Sequence, residues 1–355
     1  MPLSMDPLTQ GVLGAVAVQT LARRHEQRLA AVVGFGAGTL ADLDVFIKST
    51  EDPLLFLDYH RHFTHALAFV PVAATILLAL LRPWLPWIRR RSGLPQLSSG
   101  RLWLWLAVGY GTHGLLDACT TYGTRLLWPF SQARIAWNVV AVIDPGLTLP
   151  ALGLAVWAWK RRSAWLGRVA LAWILAWLGF GWMQRERADA LLARVAAREG
   201  HEVERSGAKP TLFNPLLWRG VWQSGDRLFV AALRPGWFGA DRVSPVESAP
   251  LFDRARDLPA LDPASTAALD IERFRHFSDG WLMSLPGDRT GRPAIGDFRY
   301  GVQPSEIRPL WAIRLDLENP QRHAEYLTMR EIRPGDLGRF FDMVQGGPPL
   351  APFSP

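Results

Sequence analysis

Apolar residues run in long stretches through the first half of the chain and not through the second. The stretches are roughly Pro7 to Ala22, Leu29 to Ile47, Ala66 to Trp87, Leu102 to Ala118, Ala136 to Trp159 and Ala164 to Met183. A helix that crosses a bilayer needs about 20 apolar residues, and the third and sixth stretches meet that best. The first is short, and the second and fourth carry polar residues that a lipid-facing helix excludes. From Gln184 onward the charge density rises and no stretch reaches spanning length. The pattern predicts an α-helical polytopic membrane domain of about five or six helices over residues 1–183. A charged helical connector over 184–209 and an extramembrane domain of mixed α/β character over 210–355 complete the chain. In the last two, Leu191, Leu192 and Val195 among charges read as helix, while "RLFVAALRPGWF" and "RPLWAIRLDL" read as strands.

Basic residues punctuate alternate connections. Arg23, Arg24 and Arg28 lie between the first two stretches, Arg82, Arg89, Arg90, Arg91 and Arg101 flank the connection after the third, and Lys160, Arg161, Arg162 and Arg168 flank the one before the sixth. Under the positive-inside rule these connections are cytoplasmic, which puts the C-terminal domain on the non-cytoplasmic side of a bacterial-type inner membrane. Arg185, Arg187, Arg194 and Arg198 run against that assignment, but acidic residues are interspersed and long domains follow the rule weakly. No cleavable signal peptide is expected, because Asp6 interrupts the start and Arg23 and Arg24 follow the apolar stretch instead of preceding it.

Composition fits a chain of two characters: 355 residues, 49% hydrophobic, with 17 Trp gathered largely at the ends of the apolar stretches, where they read as interfacial anchors. The formal charge of +7 sits largely in the short connections, so it argues orientation and not nucleic-acid binding. The single cysteine, Cys119, excludes an intramolecular disulfide and reads as a small buried residue.

The candidate chemistry lies in the polar residues of the apolar half. Asp42 and Asp44 close the second stretch, His60 and His65 open the third, His113 and Asp117 close the fourth, and Asp144 falls in the first half of the fifth. The topology brings all of them toward one membrane face, and ionisable groups inside a bilayer are costly unless they pair or bind an ion. His113 and Asp117 share a helical face one turn apart. A lone pair of this kind is more often a structural hydrogen bond, and Asp42 and Asp44 alone read equally well as a solvated helix end. Taken jointly they point to a cation. In "YHRHFTHAL", a continuous helix would separate His60 and His65 by about 140° and put His62 with His65 instead, so either the lead-in is non-helical or His62 replaces His60. Imidazole with carboxylate suits zinc first, then manganese or iron, and the residues suffice for one ion or two.

"MDPLTQGVLGA", "DLD", "YHRHFTHAL", "HGLLDACTTYGT", "WPFS" and "IDP", in this order and spacing, resemble the YdjM-like family of inner-membrane metal-dependent hydrolases, in its longer form with a C-terminal extension. The resemblance covers roughly residues 5 to 155. It implies His60, Arg61, Thr64 and His65 as the family's positions, with His62 variable, and a metal set of Asp42, Asp44, His60, His65, His113 and Asp117. Gln10 stands where some members have histidine; glutamine is a poor ligand for these ions but a serviceable donor to one. Ala41 and Ala66 depart where proline and serine are common. The implied chemistry is hydrolysis, of phosphoester bonds in a phospholipid or other amphiphile, by metal-activated water, along the lines of a phospholipase C. Asp44, Arg61 and Asp144 are the candidate catalytic groups, with Asp144 as ligand, hydrogen-bond acceptor or proton acceptor. Arg61 and Arg134 suit phosphoryl charge, although Arg134 reads more readily as a headgroup contact or an orientation signal. The alternatives are a non-catalytic, metal-stabilised membrane protein and an ion transporter.

Overall fold

Asp6 starts the first helix of the computed structural model, which describes residues 6–92, 97–237, 239–286 and 291–353. Of Ile88, Arg89, Arg91 and Ser92 only the backbone is described, so the side chains of Arg89 and Arg91, like Met5 of the first motif, lie outside the described residues. The Asp6 carboxylate accepts from Leu8 N, and Pro7 sits where no N–H is needed, so α1 (Pro7–Leu21) begins cleanly. α2 (Gln27–Thr39) returns against it. They cross at Gly14 and Gly34, where a Cβ on either residue would fall within 2.2 to 2.3 Å of the other's carbonyl oxygen.

The chain continues through a 3₁₀ stretch, Leu40–Phe46, to α3 (Leu55–Tyr59), then through two short 3₁₀ turns to α4 (Val70–Leu81) and α5 (Leu85–Ser92). α6 (Ser99–Cys119), α7 (Pro145–Arg161) and α8 (Ala164–Arg198) follow. Among the described residues, Arg24–Phe46 and Ala164–Arg198 are long and apolar enough to cross a membrane; Leu55–His65 and Leu67–Leu81, bent by 62°, make a third if they count as one span.

Several of the expected stretches differ in shape: the second ends in the 3₁₀ stretch, and the third, Ala66 to Trp87, is divided between α4 and α5 by a turn over residues 82–84. Residues 136–144 are not helical, and the fifth helix starts at Pro145: Asp144 caps it, and Asp-Pro is a helix start and not a bend within one. The sixth runs unbroken past Met183 to Arg198. Its last turns bury Leu191, Leu192 and Val195 against Trp218, Trp222 and Leu233 of a β-sheet.

The C-terminal domain is rich in antiparallel sheet. The first sheet is ordered β1 (Arg205–Pro210), β2 (Trp218–Ser224), β3 (Arg227–Arg234), β4 (Arg242–Val243) and β10 (Ala351–Pro352), with β5 (Glu247–Pro250) also paired to β3. The second is a meander of β6 (Leu282–Leu285), β7 (Ala294–Asp297), β8 (Trp311–Arg314) and β9 (Glu325–Thr328). α9 (Arg254–Asp257), α10 (Thr266–Phe277) and α11 (Asp336–Gln345) flank the sheets.

The helical half is not merely tethered to this domain. Leu54 and Leu57, from the segment between Asp44 and His60, are buried in one core with Ile271, Phe274, Leu282 and Ile313. Arg273 of α10 grips the same segment, reaching Asp52 at 3.0 Å and Asp58 at 2.7 Å. At the other end of the helices Arg101 meets Glu26 at 2.6 Å, and the Arg28 guanidinium lies 4.8 Å over the Trp159 ring, so basic connections gather there. α6 is 21 residues long, about 31 Å, and carries Arg101 near one end and Asp117 near the other.

Candidate metal centre

α6 presents Tyr110, His113, Gly114 and Asp117 along one face, at the spacing of successive helical turns. His113 Nδ1 donates to the Gly38 carbonyl at 2.6 Å. That bond fixes the proton on Nδ1 and leaves the Nε2 lone pair facing inward. Gly114 lets the next segment come close, since a Cβ there would lie 2.1 Å from His65 O.

That segment is built around Asp44. Its Oδ2 accepts from Arg61 N at 3.0 Å and Thr64 Oγ1 at 2.9 Å, and its Oδ1 meets His60 Nδ1 at 2.9 Å. His60 is extended after α3, Arg61 is left-handed at φ 60°, and Phe63–His65 form a 3₁₀ turn. The lead-in is therefore non-helical, and His60 and His65 come to one side. His62 instead faces the Trp128 ring at 5.5 Å. Tyr110 Oη donates to Thr64 O at 2.7 Å and ties the turn to α6.

His65 Nε2 lies 3.2 Å from Asp117 Oδ2 and 3.4 Å from Asp42 Oδ1, and His113 Nε2 lies 3.3 Å from the same Asp42 oxygen. A tetrahedral zinc ion with bonds near 2.05 Å separates its ligand atoms by about 3.4 Å. Asp42, His65, His113 and Asp117 each offer one ligand atom within 4.8 Å of the others, and Asp42, Asp44 and His60 make a second such group that shares Asp42.

Among the described residues His60 Nε2, His65 Nε2, His113 Nε2, Asp117 Oδ2 and both Asp42 oxygens are buried without a hydrogen-bond partner. Three carboxylates share this pocket with one guanidinium, Arg61, whose Nε lies 3.1 Å from Asp117 Oδ2. Buried lone pairs facing one another at such distances repel unless a cation lies between them, so the donor set fits a divalent ion. The other Asp117 oxygen accepts from Gln10 Nε2 at 2.9 Å, which leaves Oδ2 turned to the histidines.

Asp144 is not brought into this cluster. Its Oδ1 accepts from Leu147 N at 3.2 Å and caps α7, and its Oδ2 accepts from Trp177 Nε1 of α8 at 3.1 Å, so both oxygens are engaged in holding the start of α7 against α8. Arg134 donates to the carbonyls of Tyr122 and Gly123 at 3.2 Å and shapes the loop after α6. Arg61 does belong: its side chain is 1% exposed, its Nη1 donates to Thr120 Oγ1 at 2.9 Å, and its Nη2 has no partner. Sequence reasoning did not find the Gly38 carbonyl, which has no side-chain signature, or the grip of Arg273 on the segment between the ligands.

Residues 5–188 match the family model described as YdjM inner membrane protein, more than half of the chain. The chain belongs to the YdjM inner membrane protein family. The YdjM segment holds every residue of the cluster and ends inside α8, so both sheets lie beyond it. Among curated proteins the chain is 27% identical over 137 residues to the uncharacterized protein YfhP of Bacillus subtilis (strain 168), covering 38% of each. It is 34% identical over 125 residues to the inner membrane protein YbcI of Escherichia coli (strain K12), covering 33% of this chain and 66% of that protein. The matches thus span less than two thirds of either relative's length. No solved structure matches.

Proposed function

We propose that this YdjM-family protein is a membrane-embedded, metal-dependent hydrolase that cleaves a phosphoester in a phospholipid or another amphiphile. The observation that carries the reading is the set of buried, unpartnered imidazole and carboxylate atoms converging from the 3₁₀ stretch after α2, the segment that follows α3, and α6. In this reading zinc is the best-suited ion, with manganese or iron next, in one or two copies, held by Asp42, Asp44, His60, His65, His113 and Asp117. Bound there, such an ion would supply activation of water near neutral pH and stabilisation of charge on a phosphoryl oxygen. The group of Asp42, Asp44 and His60 supplies three protein ligands and so leaves coordination open for water or substrate.

The chain's own residues do the rest. Asp44 fixes His60 and the Arg61 backbone, Gln10 orients Asp117, and Arg61 Nη2 offers a free, buried donor to a phosphoryl oxygen. We further propose a multi-pass arrangement in which the basic connections face the cytoplasm. The metal centre and the C-terminal domain then face outward, where the substrate is a lipid of the outer leaflet. A second reading has a specific observation behind it: Asp42, His65, His113 and Asp117 form a closed set of four, the arrangement of a structural ion.

His113→Ala in the full-length protein in detergent separates the two. The hydrolase reading expects phospholipid hydrolysis by the wild type to fall by about 100-fold or more while size-exclusion and circular-dichroism profiles are kept. Loss of folding in the variant, with no hydrolysis by the wild type, identifies the ion as structural.

A further inference from the structure

The four-stranded sheet turns one face toward the metal centre, and that face carries buried donors with nothing to donate to. Trp311 on β8 is fully buried and its Nε1 has no hydrogen-bond partner. Tyr326 Oη and Arg330 Nε and Nη2 are also buried and unpartnered among the described residues. Trp311 pairs with Thr328 in the sheet, and Tyr326, Thr328 and Arg330 alternate along the strand and its extension, so all these side chains share one face. The Arg330 guanidinium lies 5.3 Å over the Trp311 ring.

The same face continues into the helical half. Trp311 meets the Tyr122 ring at 5.4 Å, and the Arg61 guanidinium lies 5.3 Å from the centre of the same Tyr122 ring. Arg61 Nη2 is itself an unpartnered donor. Asp297, a carboxylate at the end of β7 in the same sheet, is already held by Arg299 through bonds of 3.0 and 2.8 Å. Nearby, burial and then the positive charges of Arg299, Arg61 and Arg125 hold the Arg134 guanidinium below the ordinary arginine range. A buried donor left unmade is expensive, and a cluster of donors without acceptors fits a tetrahedral oxyanion.

We infer that Arg330, Trp311 Nε1 and Tyr326 Oη form a phosphoryl-binding subsite supplied by the C-terminal domain beside Arg61, so that the two domains together hold the charged group of an amphiphile. The inference rests on the hydrolase reading only for the identity of that group as the substrate's; the anion site stands on its own donors. Its position also gives the extension beyond the YdjM segment a task, which is to recognise the headgroup while the helical half holds the ion. Nothing in the subsite is a metal ligand, so it is separable from the metal centre by mutation.

The test is titration of inorganic phosphate into the purified full-length protein in neutral detergent, followed by calorimetry, with metal content measured on the same samples. Arg330→Gln and Trp311→Phe, the second removing the indole N–H together with one ring of the side chain, are expected to weaken phosphate binding by about tenfold or more with metal content unchanged. Repeating the titration in nanodiscs of phosphatidylcholine with and without phosphatidylglycerol identifies the source: competition by the anionic lipid points to a headgroup, and its absence to a free phosphate ester. No phosphate binding by the wild type, or equal binding by both variants, overturns the subsite and assigns those donors to ordered water. That outcome leaves the hydrolase reading intact, because hydrolysis lost on His113→Ala is a separate result.

Discussion

At the scale of single residues, the centre depends on which lone pairs are occupied from behind. Gln10 holds Asp117 Oδ1, the Gly38 carbonyl holds His113 Nδ1, and Thr64 Oγ1 lies 2.9 Å from His65 Nδ1, so each ligand turns its remaining atom inward. Gln10→Ala is therefore expected to lower zinc affinity by about 10- to 100-fold, read by competition with a chelating dye in detergent. Unchanged affinity would mean that Asp117 is oriented by Arg61 alone. The candidate ligand positions stood out in the sequence because histidine and aspartate inside apolar stretches need a reason to be there. Asp144 looked alike by that criterion and serves as a helix cap, because a carboxylate before proline satisfies the same need by accepting backbone N–H groups. Gln10 was legible as a donor only through the resemblance, and nothing in the spacing named its partner.

Among elements, helices α1, α6 and α8 follow the apolar pattern closely at their starts, since capping residues and apolar runs coincide there. The 3₁₀ turns around His65 were not legible, because their shape comes from bonds to Asp44 and Tyr110, which are distant in sequence. Nor was the placement of residues 48–59, which fall between two of the apolar stretches. That segment joins two candidate ligands, Asp44 and His60, and is anchored through Leu54, Leu57 and the Arg273 bonds to Asp52 and Asp58. Burial and then the Arg273 hydrogen bond shift Asp52 in opposite directions, and the net result lies below the usual carboxylate range. Arg273→Ala should destabilise the protein by about 1–3 kcal/mol and raise hydrogen exchange across residues 48–59, with weaker metal retention as the consequence. Exchange that stays as slow as in the wild type would show that the apolar anchors suffice.

For the whole molecule, the division into an apolar helical half and a charged, strand-bearing half was visible in composition, while the way they interlock was not. α8 carries the chain without a break from the helices onto the first sheet, and the 48–59 segment returns the contact into the core behind the second. Such contacts join residues far apart in sequence, and no local pattern encodes them. The outcome is one end of the helices where basic connections meet and another where the histidines, the aspartates and the sheets meet. The function proposed for this protein depends on whether a divalent ion occupies that second end. Elemental analysis of the full-length protein, purified in detergent and incubated with zinc, manganese or iron before desalting, measures it directly. The account predicts about one or two ions retained per chain, and loss of most of that metal in the His65→Ala, His113→Ala double variant. A folded wild-type protein that retains none of the three metals would contradict it.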